Sequence, residues 1–204
     1  MKRVLLGLLG LAAVACARAH RHDGVPAGVG PLVAVYKAAI DDGSDEVRRA
    51  RISLWVEPPD RLHAELIAPV GGVVFILDAG GGNTCVVDVA AATAYVGEDG
   101  PRAIEVLVGV RVSAADAVAA LLHGDSPPGL AVTRDGGADG ALPEKIRIAD
   151  GARSIVLARL RFERGKTDPR ALGTGVPPKQ LRVRPIESLA REAARESGRS
   201  GGAR

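Results

Sequence analysis

Hydrophobic and polar positions alternate with a period of two along most of the chain beyond residue 32, which is the pattern of half-buried β-strands. Residues 46–56 carry apolar side chains on one face and arginine, serine and tryptophan on the other. Pro58, Pro59 and Asp60 interrupt this alternation, which then resumes, so the two segments predict an antiparallel hairpin. The apolar positions of the two strands are Ala50, Ile52, Leu54, Val56, Leu62, Ala64, Leu66 and Ala68.

Further strands follow from the same pattern and from turn residues rich in Gly, Pro, Asn and Asp. Residues 32–40 fit either a strand or a helix, and we choose a strand because residues 41–45 form a plausible turn into the next strand. In residues 154–163, Val156, Ala158, Leu160 and Phe162 alternate with arginines and are predicted to share the apolar face. The other predicted strands are residues 73–78, 85–89, 93–96, 130–133, 145–149 and 180–184.

Three short helices interrupt or follow the strands. Pro101 suits the first turn of a helix that Gly109 ends. Ser113 is placed to cap a second helix that runs to Leu122 and ends at Gly124. Residues 186–196 form a weak amphipathic helix, and residues 197–204 are expected to be disordered.

About nine strands with one apolar face predict a mainly β protein with short helices, built on a single antiparallel sheet. Two short helices cannot cover a flat sheet of that width, so we expect it to curve into an incomplete half β-barrel with helices at its concave face. Small aliphatic side chains on that face fit an adaptable apolar cavity or an ordinary packed core. The predicted lining is Ile52, Leu54, Val56, Leu62, Leu66, Val156, Leu160 and Phe162.

The first 16 residues resemble an export signal that ends in a cysteine. Lys2 and Arg3 precede eleven apolar residues, a run too short to cross a bilayer permanently. Residues 11–16, LAAVAC, resemble the lipobox of bacterial lipoproteins, which implies cleavage before Cys16 and lipidation of that cysteine. Cleavage after Ala15 or Ala19 without lipidation fits the same residues. Residues 1–15 are thus a predicted signal peptide, 16–31 a flexible tether, 32–184 the domain, and 185–204 a short helix and tail.

Composition and spacing argue against several other classes. After loss of the signal the chain has 25 basic and 24 acidic residues, and only 2% of all residues are aromatic, so nucleic-acid binding is not indicated. His123, Asp125 and Ser126 are too close in sequence to orient one another as a triad, and no histidine or cysteine spacing fits zinc. Cys85, in an apolar run, is predicted to be a buried thiol. We therefore expect no catalysis, no metal and no cofactor.

Two motifs resemble a known family. Residues 51–62, RISLWVEPPDRL, and residues 65–72, ELIAPVGG, form a strand, a turn, a second strand and a Pro-Val-Gly loop, like the lipoprotein carriers and receptors of the LolA and LolB type. Gly109 and residues 121–124, LLHG, are similar to the receptor's helical insert. The resemblance implies an incomplete β-barrel that shields lipoprotein acyl chains, and Val70 matches the receptor's exposed apolar residue that faces the membrane.

Taken with Cys16, the resemblance implies a lipid-anchored protein of the cell envelope, held at the outer membrane and facing the periplasm. Its partners would be lipoprotein acyl chains or another apolar ligand, the outer membrane and a periplasmic carrier protein. The alternative is a non-enzymatic structural or interaction lipoprotein of an envelope assembly, whose apolar face is filled by its own helices or by a partner.

Overall fold

The computed structural model describes residues 31–43, 47–98, 100–137, 140–164 and 181–200. The predicted signal peptide, Cys16 and the tether up to residue 30 lie outside these described residues. The strands are β1 (Leu32–Asp41), β2 (Arg48–Glu57), β3 (Arg61–Ile67), β4 (Val73–Gly80), β5 (Asn83–Asp88), β6 (Thr93–Gly97), β7 (Ala131–Asp135), β8 (Lys145–Asp150), β9 (Arg153–Arg164) and β10 (Arg182–Pro185). The helices are α1 (Gly100–Val108), α2 (Ala114–His123) and α3 (Glu187–Ser200).

All ten strands belong to one sheet in the order β10-β6-β5-β4-β3-β2-β1-β9-β8-β7. Neighbours are antiparallel except β10, which pairs with β6 in parallel. The sheet is not closed, because β10 and β7 are its two edges. The prediction of a mainly β protein built on one large, mostly antiparallel sheet is therefore confirmed.

The β2–β3 hairpin has the register that the alternation predicts. Ile52 lies opposite Leu66, and Val56 lies opposite Leu62. Cross-strand partners share a face of the sheet, so the apolar sides of both strands meet on one surface. Ile52, Val56 and Leu62 are buried there, in the main hydrophobic core. We call this surface the inner face.

Strand β9 departs from its predicted alternation. The register against β1 shifts between Val35 and Tyr36, and β9 contains one extra residue at that point, Leu160. Such a β-bulge exchanges the two faces of the strand beyond it. Leu160 is 51% exposed, so its prediction as an inner-face residue is wrong.

The same bulge explains which face of the sheet each of the other β9 residues occupies. Before it, Ile155 and Leu157 are buried in the core, and Val156 lies opposite Ala39 on the other surface, the outer face. The prediction for Val156 is therefore also wrong. After the bulge, Phe162 lies opposite Ala34 and packs against the core, as predicted.

Helices α1 and α2 begin and end as the sequence predicts. The Ser113 hydroxyl accepts a hydrogen bond from the backbone N–H of Asp116 at 3.1 Å, which caps α2. Gly124 has a φ of 77° and donates its N–H to the carbonyl of Ala120 at 3.0 Å. A left-handed glycine of this kind ends a helix at low cost.

Helix α3 is part of the domain. Ile186, just before the helix, and Leu189 are buried in the main core. Tyr95 of β6 donates its hydroxyl hydrogen to Glu192 Oε2 at 2.7 Å. The helix predicted after residue 185 therefore packs on the same core as the sheet, and it continues to Ser200 instead of ending at residue 196.

Candidate functional site

A small apolar cavity lies between α1 and the inner face of the sheet. It has a volume of about 30 Å³ and only apolar residues line it. The residues lining it are Ile52, Ala64, Leu66, Phe75, Leu77, Ile104, Leu107 and Val108.

Five of these side chains come from the sheet, where they are cross-strand neighbours on the inner face. Ile52 of β2 lies opposite Leu66 of β3, which in turn lies opposite Phe75 of β4. Ala64 and Leu77 form the next inner-face pair. The floor of the cavity is therefore a continuous apolar row across three neighbouring strands.

Helix α1 contributes the roof. Ile104, Leu107 and Val108 stand at spacings of three and four residues, which places them on one side of a helix. Gly109 ends the helix with a φ of 79°, and a β-carbon there would lie 3.3 Å from Cβ of Asp42. The chain therefore turns close beside the end of β1.

The cavity is small compared with a ligand site. A volume of 30 Å³ is room for about two water molecules, whereas ligand pockets have volumes of about 300–1,000 Å³. Ala64, Leu66, Phe75 and Val108 are only half-buried, so the cavity lies at the margin of the core. An apolar ligand of any length would have to displace α1.

The predicted lining residues divide into three groups. Ile52 and Leu66 line the cavity. Leu54, Val56 and Leu62 are buried in the adjoining core without lining it. The three residues of β9 take no part, since Phe162 is half-buried elsewhere against the core and Val156 and Leu160 lie off the inner face.

Sequence reasoning missed most of the remaining lining. Phe75 and Leu77 belong to a segment that is apolar at nearly every position, so alternation could not assign its faces. The contribution of α1 could be anticipated only from the spacing of Ile104, Leu107 and Val108, which predicts an apolar helical side without naming the strands beneath it.

Val70 stands at the tip of the β3–β4 hairpin and is 98% exposed. Its turn is held by a hydrogen bond from the Gly71 N–H to the Ala68 carbonyl at 2.9 Å and by positive φ angles at Gly71 and Gly72. Leu66 and Phe75 of the cavity belong to the same hairpin. One hairpin therefore carries both the cavity floor and an exposed apolar side chain.

An ion-pair cluster joins α1 to the β8–β9 turn. Glu105 of α1 accepts hydrogen bonds from Arg102 and Arg153, both at 2.9 Å, and Arg153 also donates to Asp150 at 2.6 Å. Burial alone would raise the pKa of Glu105, but the hydrogen bonds from Arg153 and Arg102 outweigh it and lower that pKa. The carboxylate therefore stays ionised and holds α1 beside β9.

The outer face carries a buried polar cluster that sequence reasoning did not find. His63 Nδ1 lies 2.6 Å from Asp78 Oδ1, and the His63 ring meets Trp55 edge-on at 4.9 Å between centroids. These residues are cross-strand partners on β2, β3 and β4. Nε2 of His63 lies 3.8 Å from a Glu65 oxygen, so carboxylates flank both ring nitrogens and the cluster fastens three strands together.

Two further observations concern metal and membrane chemistry. Over the described ranges, no three His, Cys, Asp or Glu side chains come together in a way that could hold a metal ion. None of the helices in that same part of the chain is long and apolar enough to span a bilayer.

Comparison with known proteins finds no family model that matches the chain and no curated protein that matches it. The resemblance to the LolA and LolB type of protein therefore stays a prediction. Its motifs, residues 51–62 and 65–72, correspond to the β2–β3 hairpin and the turn that leads into β4.

Proposed function

We propose that the chain is a lipid-anchored protein of the cell envelope that binds the acyl chains of lipoproteins and assists their transfer to the outer membrane, without catalysis. The observation that carries the proposal is the wholly apolar cavity between α1 and strands β2, β3 and β4. In this proposal the sheet curves around its helices as an incomplete half β-barrel, and the acyl chain enters beneath α1.

The free energy gained by burying an acyl chain exceeds the cost of displacing α1 from the sheet. Displacing α1 would expose Ala103, Ile104 and Leu107, at a cost of about 4–7 kcal/mol, and would break the hydrogen bond from Arg153 to Glu105, which adds about 1–2 kcal/mol. An acyl chain of about 16 carbons gains about 0.8 kcal/mol for each buried CH₂ group, or roughly 12 kcal/mol in all. The ligand can therefore open the site in which it binds.

The anchor and the exposed hairpin tip fit the same role. A tether of residues 16–31 reaches at most about 50 Å, which keeps the domain next to the membrane that holds a lipidated Cys16. Val70 then provides the membrane-facing contact, and a periplasmic carrier protein delivers the cargo. The outer membrane, on its periplasmic side, is the proposed location.

A fluorescent fatty acid tests the cavity directly. Leu66→Asn places a polar amide at the half-buried margin of the cavity, and Val156→Asn makes the same kind of change at a half-buried position on the outer face. We expect Leu66→Asn to weaken probe binding by about tenfold or more, because an unpaired amide in an apolar site costs about 1–3 kcal/mol, and Val156→Asn to leave it unchanged. Equal weakening by both variants would place the probe elsewhere.

Transfer and anchoring need separate measurements in cells. Depletion of the protein should mislocalise other lipoproteins, and normal localisation of all of them would rule out a role in transfer. Cys16→Ser should abolish incorporation of labelled fatty acid and release the protein from the membrane. If both persisted, lipidation at Cys16 would be wrong.

A second function, a structural or interaction lipoprotein of an envelope assembly, is favoured by the small volume of the cavity. At about 30 Å³ the space between α1 and strands β2, β3 and β4 is nearly filled by the protein's own side chains. This function predicts no saturable binding of the fatty-acid probe by the wild-type chain and no change in the sorting of other lipoproteins after depletion.

A further inference from the structure

Five exposed basic side chains of β2, β1 and β8 cluster on the outer face of the sheet, where β9 lies between β1 and β8. All five alternate with inner-face residues along their strands, so they project on the side away from the cavity. We call this cluster the basic platform. Its residues are Lys37, Arg49, Arg51, Lys145 and Arg147.

The register of the four strands places the platform residues in two rows that run across the sheet. In the first row Arg51 lies opposite Lys37, which lies opposite Ala158, which lies opposite Lys145. Strands are about 4.8 Å apart, so this row extends about 14 Å across the sheet. A second row, two residues or about 7 Å away, has Arg49 and Arg147 at its ends, with only Ala39 and Val156 between them.

The platform cations are not part of the ion-pair network that supports the fold. Arg153 and Arg184 are held by carboxylates of other elements, whereas none of the platform residues has an ion-pair partner within the ranges that the structure describes. The acidic residue nearest in register is Asp135, opposite Lys145 on the edge strand. Like charges directly opposite each other destabilise a sheet, so the Lys37–Arg51 pair lowers stability.

Exposed apolar side chains adjoin the platform at one end. Val47 lies two residues before Arg49 and is 50% exposed. Arg51 lies opposite Ile67, and the exposed Val70 follows three residues later. The β1–β2 and β3–β4 turns that carry these valines lie at the same end of the antiparallel sheet. Cations backed by exposed aliphatic side chains match a bilayer surface, which presents phosphate groups above acyl chains.

We propose that the basic platform binds the anionic headgroups of a phospholipid bilayer, with Val47 and Val70 entering the interface at its edge. The platform offers phosphate-binding charge, and the outer-face aromatic side chain of β2, Trp55, is half-buried and packed edge-on against His63, so it does not stand free for a nucleic-acid base to stack on. It is on the face opposite the cavity, so headgroup binding does not depend on acyl cargo. Together with an acyl anchor, it supplies the second signal that stable membrane attachment requires.

Cosedimentation with vesicles tests this proposal in residues 16–204 carrying Cys16→Ser, a chain that lacks both the acyl anchor and the apolar run of the predicted signal peptide. The vesicles are phosphatidylcholine with or without phosphatidylglycerol. The platform variant is Arg49→Gln/Arg51→Gln/Arg147→Gln, and the matched control is Arg61→Gln/Arg191→Gln/Arg195→Gln, which removes the same charge from exposed arginines elsewhere.

We expect the Cys16→Ser chain to bind vesicles that contain phosphatidylglycerol and to lose most binding in 1 M salt, where the screening length falls to about 3 Å. Each cation at an anionic surface contributes about a factor of five, so the platform variant should bind roughly tenfold to a hundredfold more weakly. The control should stay within about threefold of the parent.

Three results would overturn the proposal. One is equal loss in the platform and control variants, and another is equal binding to vesicles that lack phosphatidylglycerol. The third is tight binding of duplex DNA without binding of anionic vesicles, which would identify the partner as nucleic acid. Fatty-acid probe binding without vesicles should be unchanged in the platform variant, so this proposal and the proposed function can fail independently.

Discussion

At Gly97 the backbone of β6 approaches the start of α3 so closely that a side chain has no room. A β-carbon at this position would overlap Cγ2 of Ile186 and lie 3.0 Å from its Cβ. We expect Gly97→Ala to lower the free energy of unfolding by about 1–3 kcal/mol, the usual cost of overpacking a core. Urea denaturation measures this change.

The double variant Gly97→Ala/Ile186→Ala provides the control. Because Ile186→Ala removes the overlapping methyl group, the two substitutions together should cost less than the sum of their separate effects. Additive costs would show that Gly97 is needed for another reason.

Cys85 illustrates how burial controls reactivity. Burial, followed by the negative charge of Asp78, raises the pKa of this thiol from 9.0 to about 11. A rise of two pKa units lowers the thiolate fraction at neutral pH about a hundredfold, and the thiolate is the reactive form.

In the Cys16→Ser variant, where Cys85 is the only thiol, we expect a thiol reagent at neutral pH to react far more slowly with the native protein than with the protein in urea. The time course of absorbance measures both rates. Similar rates would mean that Cys85 is accessible in the native state.

At the scale of elements, Glu105 determines how firmly α1 is held. Glu105→Gln removes the charge that Arg102 and Arg153 share, and we expect it to lower the free energy of unfolding by about 1–2 kcal/mol near neutral pH. Since the pKa of Glu105 is lowered on folding, its contribution is complete above the ordinary value of 4.5 and is lost as pH falls through the folded-state pKa.

The difference between wild type and Glu105→Gln should therefore shrink below about pH 4.5. Urea denaturation at neutral and acidic pH measures this difference in the free energy of unfolding. The control is Glu57→Gln, which removes the exposed ion pair with Arg61 and should lower the free energy of unfolding by less. A difference that stayed constant with pH would contradict an ionised Glu105 as the cause.

The elements themselves were largely predictable, because each depends on local pattern. Alternation located the strands, and Ser113 and Gly124 located the ends of α2. The inner face of β9 was not predictable, because a bulge at Leu160 reverses the two faces without any change in the alternation. Only two of the eight residues that line the cavity, Ile52 and Leu66, were predicted as lining from periodicity, whereas the roof required knowledge of where α1 packs.

For the whole molecule, two buried tyrosines make stability depend on alkaline pH. Tyr36 donates to the Pro143 carbonyl at 3.0 Å, and Tyr95 donates to Glu192. Burial raises both pKa values from 10.0 to about 12, and the Glu192 hydrogen bond adds to the rise at Tyr95. A raised pKa stabilises the fold fully below pH 10, and that contribution is lost between about pH 10 and 12.

Each tyrosine should account for about 2–3 kcal/mol of this alkaline loss. Tyr36→Phe and Tyr95→Phe should each make the free energy of unfolding less dependent on pH above 10, and the double variant should leave mainly the dependence between about pH 9 and 11 that the raised pKa of Cys85 causes. The midpoints of urea denaturation, measured from pH 8 to pH 12, report this pH dependence of stability. An unchanged slope in both single variants would show that other groups cause the loss.

The central position of β1 has a consequence for how the chain is made. Among the strands that the structure describes, β1 comes first in sequence, yet it lies between β2 and β9, so Leu32 can pair with Arg164 only after β9 has been made. During synthesis or export, one edge of a ten-residue strand stays open until more than 100 further residues have emerged. Unpaired edges of this kind recruit other chains, so products that terminate before residue 153 should aggregate, and the nascent protein needs protection until β9 closes the edge.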